Sequence, residues 1–162
     1  MTLDEKQKLD FFHRCYTAVD GLWFMKMEEK YGFDAALEMD EEVWNVMPKI
    51  QARKLKKMLN RDNGLEDLFA CLSEKLSLEG YRFRHLELSG THGFCIHVDS
   101  CPWYDIIVKA GREHLSPRIG PRICRAEYSV WAGEFGKDIR FELKNSICTG
   151  GKFCELAFSL SP

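Results

Sequence analysis

Apolar residues recur at helical spacing as far as Gly80 and at alternate positions soon after it, and this change of period restricts the fold more than any other feature. Before the change, Leu9, Phe12, Tyr16, Val19 and Trp23 form one stripe on a first helix, which Gly32 ends, and Asp34 is placed to cap the next. A longer helix is expected from Asp40, with Val43, Trp44, Met47, Ile50, Leu55 and Leu59 turned inward and Pro48 either kinking or dividing it. Asn63-Gly64 makes a turn, and Leu65, Leu68, Phe69, Leu72 and Leu76 give a further helix that stops at Gly80.

After Gly80, Tyr81 to Leu88 and Phe94 to Asp99 read as two strands joined around Gly90. Pro102 opens a helix carrying Trp103, Ile106, Ile107, Ala110 and His114 on one side, and another helix is expected after Pro121, with Cys124, Tyr128, Trp131 and Phe135 on a face. Two alternating segments close the chain, Ile139-Phe141-Leu143 and Cys154-Leu156-Phe158-Leu160, with Gly150-Gly151 turning between them. The expected fold class is α+β: N-terminal helices, then an antiparallel sheet of about four strands with two intervening helices. One domain over 1–162 accounts for the length, with 1–80 helical and 81–162 the α+β part that carries the cysteines.

Charge and composition narrow the function classes. Hydrophobic residues are 45% and charged residues 30% of the chain, which fits a folded globular protein and excludes a disordered one. A net charge of -2 gives no bulk attraction to nucleic acid or to an anionic membrane, and neither is expected as a partner. Lys49, Arg53, Lys54, Lys56 and Lys57 cluster, but acidic neighbours from Glu38 to Glu42 make them a solvated helix face. The opening Met1-Thr2-Leu3-Asp4-Glu5-Lys6 lacks the basic start and apolar run of a secretory signal, so the expected localisation is cytoplasmic.

Seven cysteines are many for a chain expected in a reducing compartment, and the odd count argues against a fully paired disulfide framework. Cys101 sits at a strand-to-helix junction, Cys124 in the first turns of the following helix, and Cys148 and Cys154 flank the last glycine turn. Soft thiolates favour zinc, with an iron–sulfur cluster as the alternative. Cys95, His97 and Asp99 alternate on a strand, so His97 is a further candidate ligand, and Glu127 follows Cys124 by one helical turn. The competing reading is that Cys124 and Cys154 are core residues, as Cys15 and Cys71 are expected to be.

The run Ile147-Cys148-Thr149-Gly150-Gly151-Lys152-Phe153-Cys154-Glu155-Leu156-Ala157-Phe158 resembles the closing signature of 4-vinyl reductase-like domains. It is also similar to the end of the 2-amino-thiazoline-4-carboxylate hydrolase-like family, in which a cysteine before a helix, a cysteine three residues before an acid and a final pair recur in order. Cys101, Cys124 with Glu127, and Cys148 with Cys154 match that order. Over nearly its full length the chain looks closest to an uncharacterised branch of bacterial and archaeal cytosolic proteins, through Asp20-Gly21-Leu22-Trp23-Phe24, Val43-Trp44 and Gly111-Arg112-Glu113-His114. The resemblance implies either small-molecule sensing, often with a bound metal, or ring-opening hydrolysis of a cyclic C=N bond.

The leading expectation is a small-molecule-binding domain organised by zinc at Cys101, Cys124, Cys148 and Cys154, with His97 in reserve. Asp20 and Trp23 are candidates to face the ligand. The enzymatic alternative is a hydrolase of a cyclic C–N or C=N bond, with Cys101 or Cys124 as nucleophile and Glu127 or His114 accepting the proton. A structural interaction domain with packing cysteines is the third reading. The partner expected in each binding reading is a small molecule, and a homodimer is admitted.

Overall fold

A capping box opens the first helix. In the computed structural model, which describes residues 2–87 and 92–161, the Gln7 amide donates to the Asp4 carboxylate at 2.7 Å and the Asp4 amide donates to the Gln7 side chain at 3.0 Å. Helix α1 (Glu5–Tyr31) then runs to Gly32, whose φ of 88° is readily reached only by glycine. The chain divides into two compact units, residues 1–40 and residues 41–162.

In the first unit, α1 departs from its expected orientation. Leu9, Phe12, Val19 and Trp23 are exposed, Tyr16 is half-buried, and no residue of the helix is fully buried. The half-buried positions His13, Thr17, Asp20, Phe24 and Met27 lie roughly a quarter of a turn around the axis from that stripe. Cys15, expected to pack, is exposed. Helix α2 (Phe33–Trp44) starts directly after Gly32, so Asp34 falls in its first turn and Asp40 lies inside it.

The second unit begins within α2. Pro48 divides rather than kinks, because it stands in the first turn of α3 (Met47–Leu59), where its missing N–H costs nothing. Pro48, Ala52 and Leu55 face inward, whereas Ile50 is exposed. Helix α4 (Leu65–Leu78) buries Leu68, Cys71, Leu72, Lys75 and Leu76, matching the expected stripe and adding a lysine to it.

Strands β1 (Arg82–Glu87) and β2 (Gly93–Ser100) pair antiparallel with Phe83 opposite Val98 and Leu86 opposite Cys95. The turn expected around Gly90 lies outside the described residues. Helix α5 (Pro102–Lys109) stops before His114, which falls in a 3-10 turn over Glu113–Leu115. Helix α6 (Ser116–Phe135) is already running before Pro121. Strands β3 (Ile139–Asn145) and β4 (Cys154–Leu160) complete a four-stranded antiparallel sheet of order β1-β2-β4-β3.

The protein is therefore α+β, with helices first and then an antiparallel sheet whose strands are interrupted by helices. One sheet face, carrying Phe94, Ile96, Val98, Leu156 and Phe158, packs with Leu68, Leu72 and Leu76 of α4 and Trp131 and Phe135 of α6. Stacking of Phe94 on Phe158, ring centroids 5.0 Å apart, ties the two central strands within that core. Among the described residues no helix is long and apolar enough to cross a membrane.

Candidate functional site

Four elements deliver the four cysteines to one neighbourhood. Cys101 is the N-cap residue of α5, Cys124 faces inward from α6, Cys148 lies in the 3-10 turn Ile147–Thr149, and Cys154 opens β4 opposite Val98. Cys101 and Cys124 are half-buried, while Cys148 and Cys154 are buried. Burial, and then the negative charge that Cys101, Glu127, Cys148 and Cys154 would each place nearby, push the Cys124 thiol well above its ordinary range. Burial raises Cys101 to about 11, against the pull of the Tyr104 amide, and raises Cys148 to about 12.

Backbone geometry already turns donors toward two of these sulfurs. The Ile147 amide donates to Cys154 Sγ at 3.3 Å, and the Tyr104 and Trp103 amides at the start of α5 favour ionised sulfur at Cys101. Gly120 of α6 leaves the room that Cys148 needs, since a Cβ there would lie 2.3 Å from Cys148 Sγ. Ser116 fixes the same turn by donating its hydroxyl to the Cys148 carbonyl at 3.2 Å. Among the described residues, no group of three or more His, Cys, Asp or Glu side chains is arranged so that it could hold a metal ion as it stands.

Beside the thiols lies a buried ion cluster that the sequence reading missed. Lys75 of α4, only 3% exposed, donates to Glu127 of α6 and is paired with Glu79 at 3.1 Å. Burial pulls the Lys75 ammonium down, but Glu127 and Glu79 together outweigh it and hold it above its ordinary value. Glu79 also accepts the Trp103 indole N–H at 3.2 Å and a Gln51 amide at 3.3 Å. The Lys75 Nζ is 5.4 Å from the Tyr81 ring and 5.7 Å from the Tyr128 ring. Burial raises both phenols well above their ordinary range. One signal for this cluster was legible: Lys75 occupies the helical position shared with Leu68, Leu72 and Leu76, where an unpaired charge would be costly.

The remaining candidates separate from the thiols. His97 alternates with Val98, and Val98 shares its sheet face with Cys154, so His97 points to the opposite face. There its Nδ1 accepts from Arg84 Nε at 2.8 Å and its ring meets Phe153 edge-on at 3.9 Å. His114 is exposed in its 3-10 turn. Glu127 reaches the thiol neighbourhood but is committed to Lys75. In the first unit, Asp20 is half-buried and Trp23 is 61% exposed.

Comparisons with known proteins bear on the fold and the family. A family described as "Family of unknown function (DUF6125)" matches residues 4–113. That stretch contains Cys101 and ends before Cys124, Cys148 and Cys154, so it does not reach the closing segment on which the hydrolase- and reductase-like resemblance rests. No curated protein matches the chain. Among solved structures, the chain is similar to the phenol-responsive sensory domain of the transcription activator PoxR, solved with phenol, at 11% identity and a TM-score of 0.55. The similarity covers 89% of this chain and 73% of that one.

Proposed function

We propose that this chain, which belongs to the DUF6125 family of unknown function, is a small-molecule-binding domain whose C-terminal half is organised by zinc at Cys101, Cys124, Cys148 and Cys154. The observation that carries the reading is the convergence of four cysteines, spread from position 101 to 154, on one buried neighbourhood. The donor set fits a soft divalent ion in kind, with four sulfurs and backbone N–H groups directed at two of them. Closing it requires the side chains to draw together from their present arrangement. When bound, zinc would join α5, α6, the Cys148 turn and β4 at one point. The protein's own residues supply the rest: Gly120 makes space for Cys148, and Ile147 supports Cys154.

Ligand binding is supported by the composition of the adjoining region, in which the paired charges of Lys75, Glu79 and Glu127 are bordered by Tyr81, Trp103 and Tyr128. Paired polar groups bordered by aromatic side chains are the residue types that small-molecule sites use. The sensory-domain fold of the phenol-responsive neighbour adds to that reading. A cysteine nucleophile gains no such support, because burial keeps Cys101 and Cys124 protonated at neutral pH.

Metal analysis of protein purified under reducing, metal-sparing conditions, with an absorption spectrum, tests the zinc site. Near-stoichiometric zinc without visible absorption is expected. Brown, iron-containing protein would replace zinc by a cluster, and protein free of either metal would overturn the metal reading. A thermal-shift series with phenol and simple aromatic compounds tests ligand binding, since a ligand held by the folded state raises Tm with concentration.

A further inference from the structure

We infer that at the zinc site proposed above, on which this assignment rests, the Ser146 hydroxyl is a positioning group that donates to a thiolate of Cys148 or Cys154. Ser146 joins β3 to the 3-10 turn Ile147–Thr149 and is only 5% exposed. Its main chain is fully engaged. The Ser146 amide donates to Asn145 Oδ1 at 3.0 Å, and its carbonyl accepts the Thr149 amide at 3.2 Å, the Thr149 hydroxyl at 3.1 Å and the Gly151 amide at 3.0 Å. Gly151 packs so closely that a Cβ there would lie 2.7 Å from the same carbonyl oxygen.

The side chain takes no part in this anchoring. Ser146 Oγ is buried and makes no hydrogen bond. A buried hydroxyl without a partner is costly to a fold, which points to a partner that arrives with another state of the site.

The neighbouring sulfurs supply that partner. The Ile147 amide, next along the chain, donates to Cys154 Sγ at 3.3 Å and so sets Ser146 against that sulfur, while Cys148 follows two residues on in the same turn. The hydroxyl stands where it favours ionised sulfur at both cysteines. As thiols, Cys148 and Cys154 are weak acceptors; as thiolates they are strong ones. Hydrogen bonds to ligating sulfur set both the affinity and the electronic character of a metal site. Alanine at position 146 would keep every main-chain bond described here and remove only the donor.

Cobalt(II) and zinc titrations of the reduced, metal-free full chain test the assignment, with Ser146→Ala beside wild type and Thr149→Val as the control. Thr149→Val removes the other hydroxyl of the turn, one that donates to a carbonyl rather than to sulfur. Zinc affinity in Ser146→Ala is expected to fall about tenfold to a hundredfold, the usual effect of losing a group that supports a metal ligand. Its sulfur-to-cobalt charge-transfer band is expected at longer wavelength, because sulfur that accepts no hydrogen bond gives up charge more easily. Its metal-free Tm should not fall, since the lost hydroxyl had no partner there. Thr149→Val should leave the band at its wild-type position. An unchanged band in Ser146→Ala, whatever its affinity, overturns the assignment and leaves the metal site standing. So does an equal shift in both variants, or a metal-free Ser146→Ala that unfolds, because the hydroxyl then serves the turn itself. A wild-type chain that binds neither ion overturns the metal reading and this assignment with it.

Discussion

Lys75 is the residue whose replacement most directly reports on the core. Its ammonium stands between two carboxylates at a position shared with leucines, so removing it strands Glu79 and Glu127 in a region that water does not reach. Lys75→Met is expected to destabilise the fold by about 3–5 kcal/mol in urea unfolding, the usual cost of breaking a buried ion pair from one side. Adding Glu127→Gln should recover part of the loss, because it removes one stranded charge. At the same scale, the thiols differ sharply in access. A maleimide added to native protein should label exposed Cys15 first and fully buried Cys71 last, read by peptide mass mapping. Prompt labelling of Cys71 would contradict the burial described for it.

At the scale of the element, α6 holds one side of the thiol neighbourhood, and its approach to the Cys148 turn depends on a missing side chain. A methyl group at Gly120 would meet Cys148 Sγ at 2.3 Å and its Cβ at 2.5 Å. Gly120→Ala should therefore cost about 1–3 kcal/mol through overpacking, despite the better helix propensity of alanine, and a thermal melt measures it. Much of the element order was legible because local signals agreed with the tertiary structure. Gly32 stops α1, Pro48 starts α3, and the alternation of Cys154, Leu156 and Phe158 marks a strand with one buried face. Where the reading failed, periodicity alone was asked which face turns inward. The stripe from Leu9 to Trp23 is apolar and helical, yet it is exposed, and spacing carries no information about what covers a face. His97 failed for a simpler reason. Nearness to Cys101 in sequence says nothing about which side of the sheet a residue occupies, and alternation along β2 sends it away.

At the scale of the whole molecule, three buried titratable groups act in one direction. Lys75, Tyr81 and Tyr128 all hold their protons more tightly in the folded chain than in water. Their stabilising contribution is complete below the ordinary lysine and tyrosine range. It declines as pH rises through about 10, where the unfolded chain begins to release protons that the fold retains. Urea midpoints should therefore fall progressively above about pH 10, and Lys75→Met combined with Glu127→Gln should flatten part of that decline. The strand order has its own consequence for how the chain is made. Strand β4 lies between β2 and β3 although it is the last of the four to be synthesised. A nascent chain that has emerged only as far as β3 has two sheet pieces with no shared neighbour and their ladder edges open. Completing the sheet therefore requires the segment from Cys154 to Leu160 to insert between β2 and β3, which no earlier strand joins.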